Sequence, residues 1–142
     1  MSTNTASGST KLSNRQVLTN TGLAILASVA ANLVTLFALD LFIDFPAGFL
    51  PLSPLPVILF TSLFIAIGGG VLWLMNRLMD NPIPAFRVVA IVALLLSIVP
   101  NIASMINPAS FPMPGATSEG FGILIVFHFV AGIIATYFLS RR

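Results

Sequence analysis

Four long apolar stretches separated by proline-rich segments constrain this chain more than any other feature of its sequence. A helix that crosses a hydrocarbon core of about 30 Å needs about 20 mostly apolar residues. The stretches that meet this requirement are residues 17–42, 55–79, 85–106 and 120–140. Proline ends helices, so the prolines between the stretches mark loops, while Pro100, deep within the third, predicts a kink. We therefore expect an all-α fold in which residues 17–142 form one four-span transmembrane domain.

The composition excludes a water-soluble domain and points to the lipid bilayer as the main partner. Only 7% of the 142 residues are charged, against about 25% in soluble domains, and the mean hydropathy is +1.04. The sequence contains no cysteine, which excludes disulfides and thiolate metal sites. The net charge of +2 is too small for a nucleic-acid-binding surface.

The basic residues predict the orientation of the four spans. Threading the spans places all of them on the same side as both termini; they are Lys11, Arg15, Arg77, Arg87, Arg141 and Arg142. Because cytoplasmic segments of membrane proteins are enriched in Lys and Arg, we expect both termini to be cytoplasmic, in a multi-pass protein of the plasma membrane. Residues 1–16 are rich in small polar side chains and are expected to form a mobile cytoplasmic tail.

A secretory signal peptide is the alternative for the first span. Lys11 and Arg15 precede an apolar run, and Ser28 to Ala30 could form a small-residue cleavage site. The apolar run continues to Leu41, however, which is longer than a signal-peptide core. The sequence therefore favours an uncleaved first helix.

Each span carries a stripe of small and polar residues at helical spacing, and helices associate in lipid through such residues. In chain order the stripes are Ala24, Ser28, Asn32 and Thr35; Ser62, Ala66, Gly69 and Asn76; Ala90, Ala93, Ser97, Asn101 and Ser104; and His128, Ala131, Gly132 and Ala135. Such stripes predict a bundle of four helices with these faces inward. At about 1.5 Å per residue, one polar residue of each span lies near the middle of the bilayer, with a fifth one turn away. The predicted intramembrane polar layer consists of Asn32, Ser62, Ser97, Asn101 and His128.

His128 is the one histidine of the chain and the titratable residue at this predicted depth. An ionisable residue inside a membrane is by default a candidate functional site. The alternative is that neutral His128 forms structural hydrogen bonds to Asn32 or Ser97, and the sequence leaves both interpretations open. No catalytic, cofactor or metal-binding motif was found, so we predict no enzymatic activity, no cofactor and no metal.

Several segments resemble those of an uncharacterised family of small four-span integral membrane proteins of bacteria and archaea. They are a first span centred on Asn32, a glycine-rich second span that ends at Arg77, the segment Leu94 to Pro100, and His128 in the last span. The family is defined by a domain of unknown function. The resemblance implies four spans and a polar layer with Ser97 and His128, and it brings no activity, substrate or cofactor.

Two functions remain after these exclusions. The first is a non-enzymatic bundle that acts through helix interactions, either as a homo-oligomer or with a partner membrane protein. The second is a small transporter or binder of a hydrophobic or protonatable solute, with His128 in its cavity.

Overall fold

The computed structural model describes residues 11–142. This part of the chain contains four α-helices and two short 3₁₀ turns, joined by loops. The helices are α1 (Asn14–Asp40), α2 (Pro54–Leu78), α3 (Pro82–Ile106) and α4 (Ser118–Leu139); the 3₁₀ turns are Leu50–Leu52 and Pro108–Ser110. Each α-helix is long and apolar enough to cross a membrane. The predicted all-α fold with four helices at these places in the chain is confirmed.

Local sequence signals explain where the helices begin. Ser13 accepts from the backbone N–H of Gln16 at 3.2 Å, and the Gln16 side chain accepts from the Ser13 N–H at 2.8 Å. This reciprocal pair stabilises the first turn of α1. Prolines occupy the first turns of α2 and α3, where a missing N–H costs no hydrogen bond. Thr117 accepts from the Gly120 N–H at the start of α4.

Helix α1 begins at Asn14, three residues before the start of the predicted first span at residue 17. Leu12, placed in the tail by its sequence context, is buried. Residues 1–10 lie outside the described part of the chain, so the predicted mobility of that segment stays a prediction.

The four helices form a ring that is open on one side. α1 packs extensively against α2 and α4, and α3 packs extensively against α4, whereas α2 and α3 make few contacts. On α2, Gly68 lies near Leu139 of α4, and helix geometry places Phe64 and Val71 on the adjoining face, toward α3. Both are exposed. We call this opening, bounded by Phe64 and Val71 on α2 and by Ala93 and Ser97 on α3, the α2–α3 seam.

The buried apolar residues form one cluster at each end of the ring. The cluster at the end that carries the termini draws on all four helices and includes Leu72, Phe86 and Leu139. The cluster at the opposite end includes Leu36, Phe49 and Phe121, and its buried members come from α1, the loop after it, α2 and α4. α3 contributes no buried residue to that second cluster. This is why the ring opens between α2 and α3.

The two apolar loops at the end opposite the termini close that end of the ring. The ring of Phe49 packs edge-on against Phe121 at 5.2 Å, and Phe111 does the same at 5.3 Å. Gly115 has a φ of +70°, and a Cβ there would collide with the backbone carbonyl of Ala47. Glycine is therefore required for the close approach of the two loops. Since Phe49 is buried in a packed cluster, the loops plug the bundle end.

The inward stripe predicted for α3 is wrong at its centre, where Ala93 and Ser97 are exposed. The residues through which α3 approaches α4 are large: Leu94 lies over Gly132, and Met105 lies over Gly122. Small residues do mediate this contact, as expected in lipid, but α4 supplies them and α3 supplies the large side chains.

Candidate functional site

Asn32 is the most deeply buried member of the predicted polar layer, with 2% of its surface exposed. Its amide nitrogen Nδ2 donates to Thr61 Oγ1 on α2 at 3.0 Å. Its carbonyl oxygen Oδ1 is buried and has no hydrogen-bond partner. An unpaired buried acceptor costs about 1–3 kcal/mol, so this oxygen marks a place that would bind a donor, such as a water molecule or the N–H of a solute.

His128 lies on the face of α4 that points to the centre of the ring. It shares this face with Ala135 and Leu139, which are both buried, and Leu139 reaches Gly68 of α2. His128 Nδ1 lies 2.7 Å from the backbone carbonyl of Leu124. A carbonyl only accepts, so Nδ1 donates in this contact, and Nε2 is an acceptor whenever the ring is neutral.

Asn32 and His128 lie at the same level of the bundle without a hydrogen bond between them. Ser28 Oγ donates to the carbonyl of Ala131 at 3.4 Å, which sets the register of α1 against α4. One turn further toward the loops, Asn32 on α1 is level with His128 on α4. His128 is partly buried.

Ser97 and Asn101 use their hydrogen bonds within α3. Ser97 Oγ donates to the carbonyl of Leu94 at 2.7 Å, and Asn101 Nδ2 donates to the carbonyl of Ser97 at 3.3 Å. Pro100 lies between them in the helix, where its ring lacks an N–H and crowds the preceding turn. The Asn101 amide therefore adds a donor to the turn that Pro100 weakens, at the Ser97 carbonyl next to the Leu96 carbonyl that lacks the proline N–H.

The predicted layer is thus only partly assembled. Asn32 and His128 point inward, Ser62 is half-buried, and Ser97 is exposed on α3. Within residues 11–142, only one hydrogen bond joins two of the five predicted residues, and it runs from the Asn101 side chain to the Ser97 carbonyl. Thr61, which bonds Asn32, was not identified from the sequence, because its neighbour Ser62 fits the small-residue stripe of α2 equally well.

A second polar interaction, absent from the sequence prediction, fastens the start of the chain to α2. Asn76 is buried, accepts from the backbone N–H of Leu12 at 2.8 Å and donates to its carbonyl at 2.6 Å. Close by, Lys11 and Asp80 form an exposed ion pair at 3.5 Å. We call the Asn76–Leu12 interaction the amide clamp. The one indication in the sequence was the position of Asn76 in the stripe predicted for α2.

The end of the bundle that carries the termini also carries the basic residues and two adjoining shallow grooves of about 350 Å³ each. Both grooves lie between α3 and α4 and share Arg87, Tyr137 and Ser140. Arg87 Nε donates to Ser140 Oγ at 3.2 Å. On α2, outside the grooves, the Arg77 guanidinium lies 4.0 Å from the centre of the Trp73 ring.

Residues 11–142 contain no group of three or more His, Asp or Glu side chains arranged to hold a metal ion. A ring of four helices, each apolar enough to cross a bilayer and exposing large apolar side chains, is typical of multi-pass membrane proteins. Within that class, the chain belongs to the family of unknown function DUF6069, whose model matches residues 12–142. This agrees with the resemblance seen in the sequence. No curated protein and no solved structure matched the chain.

Proposed function

We propose that this protein is a non-enzymatic membrane protein that acts through self-association in the bilayer, with a second copy covering the α2–α3 seam. The observation that carries the proposal is the exposure of Ala93 and Ser97 between Phe86 and Ser104, which are buried nearer the two ends of α3. A small-residue surface in mid-helix favours close approach of another helix.

The apolar side of the seam supports the same proposal. Phe60 and Phe64 on α2 are stacked with ring centres 6.5 Å apart, and both are exposed. Large side chains on α2 facing small ones on α3 would form a cleft into which a helix of a second copy fits. Packing of large residues onto small ones is also the way α3 already meets α4, at Leu94 and Gly132.

Disulfide crosslinking in membranes tests this proposal, because the chain has no native cysteine. We expect Ala93→Cys or Ser97→Cys to give an oxidant-dependent dimer. Leu96→Cys is the matched control, since Leu96 is also exposed but lies on another face of α3. Dimers of all three variants in equal yield, or of none, would contradict self-association through the seam.

The unpaired Asn32 Oδ1 favours a second candidate function, the binding or passage of a protonatable solute. This oxygen and the His128 ring lie at one level near the centre of the ring of helices. In this interpretation a donor-bearing solute bonds both acceptors.

Proton flux into proteoliposomes, followed with an entrapped pH-sensitive dye, tests the second candidate. We expect flux above that of protein-free liposomes, reduced at least tenfold by His128→Gln and by Asn32→Leu. Ser62→Ala is the control, because Ser62 makes no hydrogen bond to either residue. Equal flux through the parent chain and both variants would rule this function out.

A further inference from the structure

The two grooves between α3 and α4 form one continuous surface that changes from charged to apolar along its length. Its outer part, at the ends of the helices, contains Arg87, Arg141 and Arg142. Its inner part contains Ile91, Leu94 and Gly132. No acidic residue lines either part.

Arg87 is positioned at the junction of the two parts. Ser140, which is only 5% exposed, accepts from Arg87 Nε and donates to the carbonyl of Thr136 at 2.7 Å. This fixes the near end of the guanidinium and leaves its two terminal NH₂ groups without a protein partner within residues 11–142. Two parallel N–H donors match the oxygens of a phosphate.

The Arg141 segment is also held in place beside the groove. Asn20 Nδ2 on α1 donates to the backbone carbonyl of Arg141 at 2.8 Å, and the Arg141 guanidinium lies 5.9 Å from the centre of the Phe138 ring. Asp40, Asp44 and Glu119 lie at the opposite end of the bundle, and Asp80 is paired with Lys11. The groove therefore has a positive charge that its own lining does not neutralise.

The apolar part of the groove has the length of a lipid chain segment. From Arg87 to Leu94 the helix rises seven residues, or about 10 Å, which is about two-thirds of one leaflet of a hydrocarbon core about 30 Å thick. The packed contact of Leu94 with Gly132 forms the floor, since a Cβ at Gly132 would lie 2.7 Å from Leu94 Cδ1. Tyr137 lies at the junction, where amphipathic rings meet lipid headgroups.

We propose that this groove binds one anionic phospholipid, with the phosphate on Arg87 and Arg141 and one acyl chain between α3 and α4. Charge complementarity selects an anionic over a zwitterionic headgroup. The apolar floor requires an acyl chain, so the ligand is a whole lipid. This inference does not depend on self-association, because the groove lies on the α4 side of α3 and the seam on the α2 side.

Lipid titration followed by native mass spectrometry tests the proposal on the delipidated, detergent-solubilised full chain. The probes are dioleoyl phosphatidylglycerol and dioleoyl phosphatidylcholine. We expect one tight site for phosphatidylglycerol, with a Kd at least tenfold lower than that for phosphatidylcholine. Each Arg near a membrane surface contributes about a fivefold preference for anionic lipid, so Arg87→Gln with Arg141→Gln is expected to raise the phosphatidylglycerol Kd at least tenfold.

Two variants separate this site from general surface charge. Arg77→Gln removes one positive charge from the same end of the bundle outside the groove, and it is expected to change the Kd by less than twofold. Ile91→Trp fills the apolar part from an exposed position, and it is expected to weaken binding of both lipids without altering the charge.

Ser140→Ala keeps the test valid if the double arginine variant does not fold. It preserves every charge and removes the hydroxyl that positions Arg87, so a threefold or larger rise in the phosphatidylglycerol Kd supports the site. Equal Kd values for the two lipids would overturn the proposal. So would an effect of Arg77→Gln as large as that of the double arginine variant, or unchanged binding in Ile91→Trp.

Discussion

Gly69 and Gly70 are consecutive residues of α2 with different surroundings. A Cβ at Gly69 would lie 2.6 Å from Thr21 Cγ2 on α1, whereas nothing lies within 4 Å of a Cβ at Gly70. Residues 68–70 are three consecutive glycines, which can form a hinge or allow close contact between helices. Gly69 allows close contact between α2 and α1. α2 runs unbroken through the triplet.

Gly69→Ala is therefore expected to lower stability by about 1–3 kcal/mol, the typical cost of overpacking. Thr21 has little freedom to move, because its hydroxyl already donates to the carbonyl of Val17 at 2.8 Å. Gly70→Ala is the control, and it should leave the Tm in detergent unchanged or raise it. Equal Tm values for the two variants would show that α1 and α2 are not in close contact here.

Asn76 provides the second prediction at this scale. Asn76→Leu removes both hydrogen bonds of the amide clamp and leaves the Leu12 backbone groups unpaired in a buried position. We expect a loss of about 1–3 kcal/mol and faster trypsin cleavage after Lys11. Asn81→Ala is the control, since Asn81 is exposed and its side chain makes no capping bond. Unchanged cleavage after Lys11 in Asn76→Leu would contradict the clamp.

At the scale of the element, α3 differs from the other helices in being least covered by its neighbours. Its polar residues serve its own backbone around Pro100, as the hydrogen bonds of Ser97 and Asn101 show. Helix α3 is continuous from Pro82 to Ile106, with Pro100 inside it. The kink expected at Pro100 stays a prediction.

A double-mutant cycle tests whether Asn101 compensates for Pro100. Asn101→Ala should destabilise the parent chain, and it should cost less in a Pro100→Ala background, where the backbone ladder is complete. A coupling of about 0.5–1 kcal/mol is expected for residues that share a hydrogen-bond network. Thermal unfolding of the four proteins in one detergent measures it, and strictly additive effects would show that Asn101 has another role.

The sequence predicted the inner face of α1 well and that of α3 poorly, for a physical reason. Ala24, Ser28 and Asn32 recur at intervals of four and are all buried, because their helix has neighbours on both sides. Ser97 has the same spacing relative to Ala93, but the pattern does not reveal that its hydroxyl bonds its own helix. The amide clamp depends on Leu12 and Asn76, which are too far apart in the chain for periodicity to connect.

At the scale of the whole molecule, the low share of charged residues predicted a membrane protein, and the four apolar stretches between proline-rich segments predicted its four helices. The α2–α3 seam and the Arg87 groove were not predictable in this way. Both depend on how α3 lies against α4, which is set by the fit of Leu94 over Gly132 and of Met105 over Gly122.

The loops alternate between the two ends of the four-helix bundle. The turn between α2 and α3 lies at the same end as the start of α1 and the end of α4, as the hydrogen bond from Asn76 to Leu12 and that from Asn20 to Arg141 show. The other two loops lie at the opposite end. The excess of basic residues favours a cytoplasmic position for the end with the termini.

Cysteine labelling in intact cells tests this account most directly, because the chain has no cysteine of its own. Single cysteines at Ser53, Asn81 and Ser118 are treated with a membrane-impermeant maleimide before and after permeabilisation. We expect labelling of Ser53→Cys and Ser118→Cys in intact cells, and of Asn81→Cys only after permeabilisation. Labelling of Asn81→Cys in intact cells, or equal labelling of all three, would contradict four spans with cytoplasmic termini.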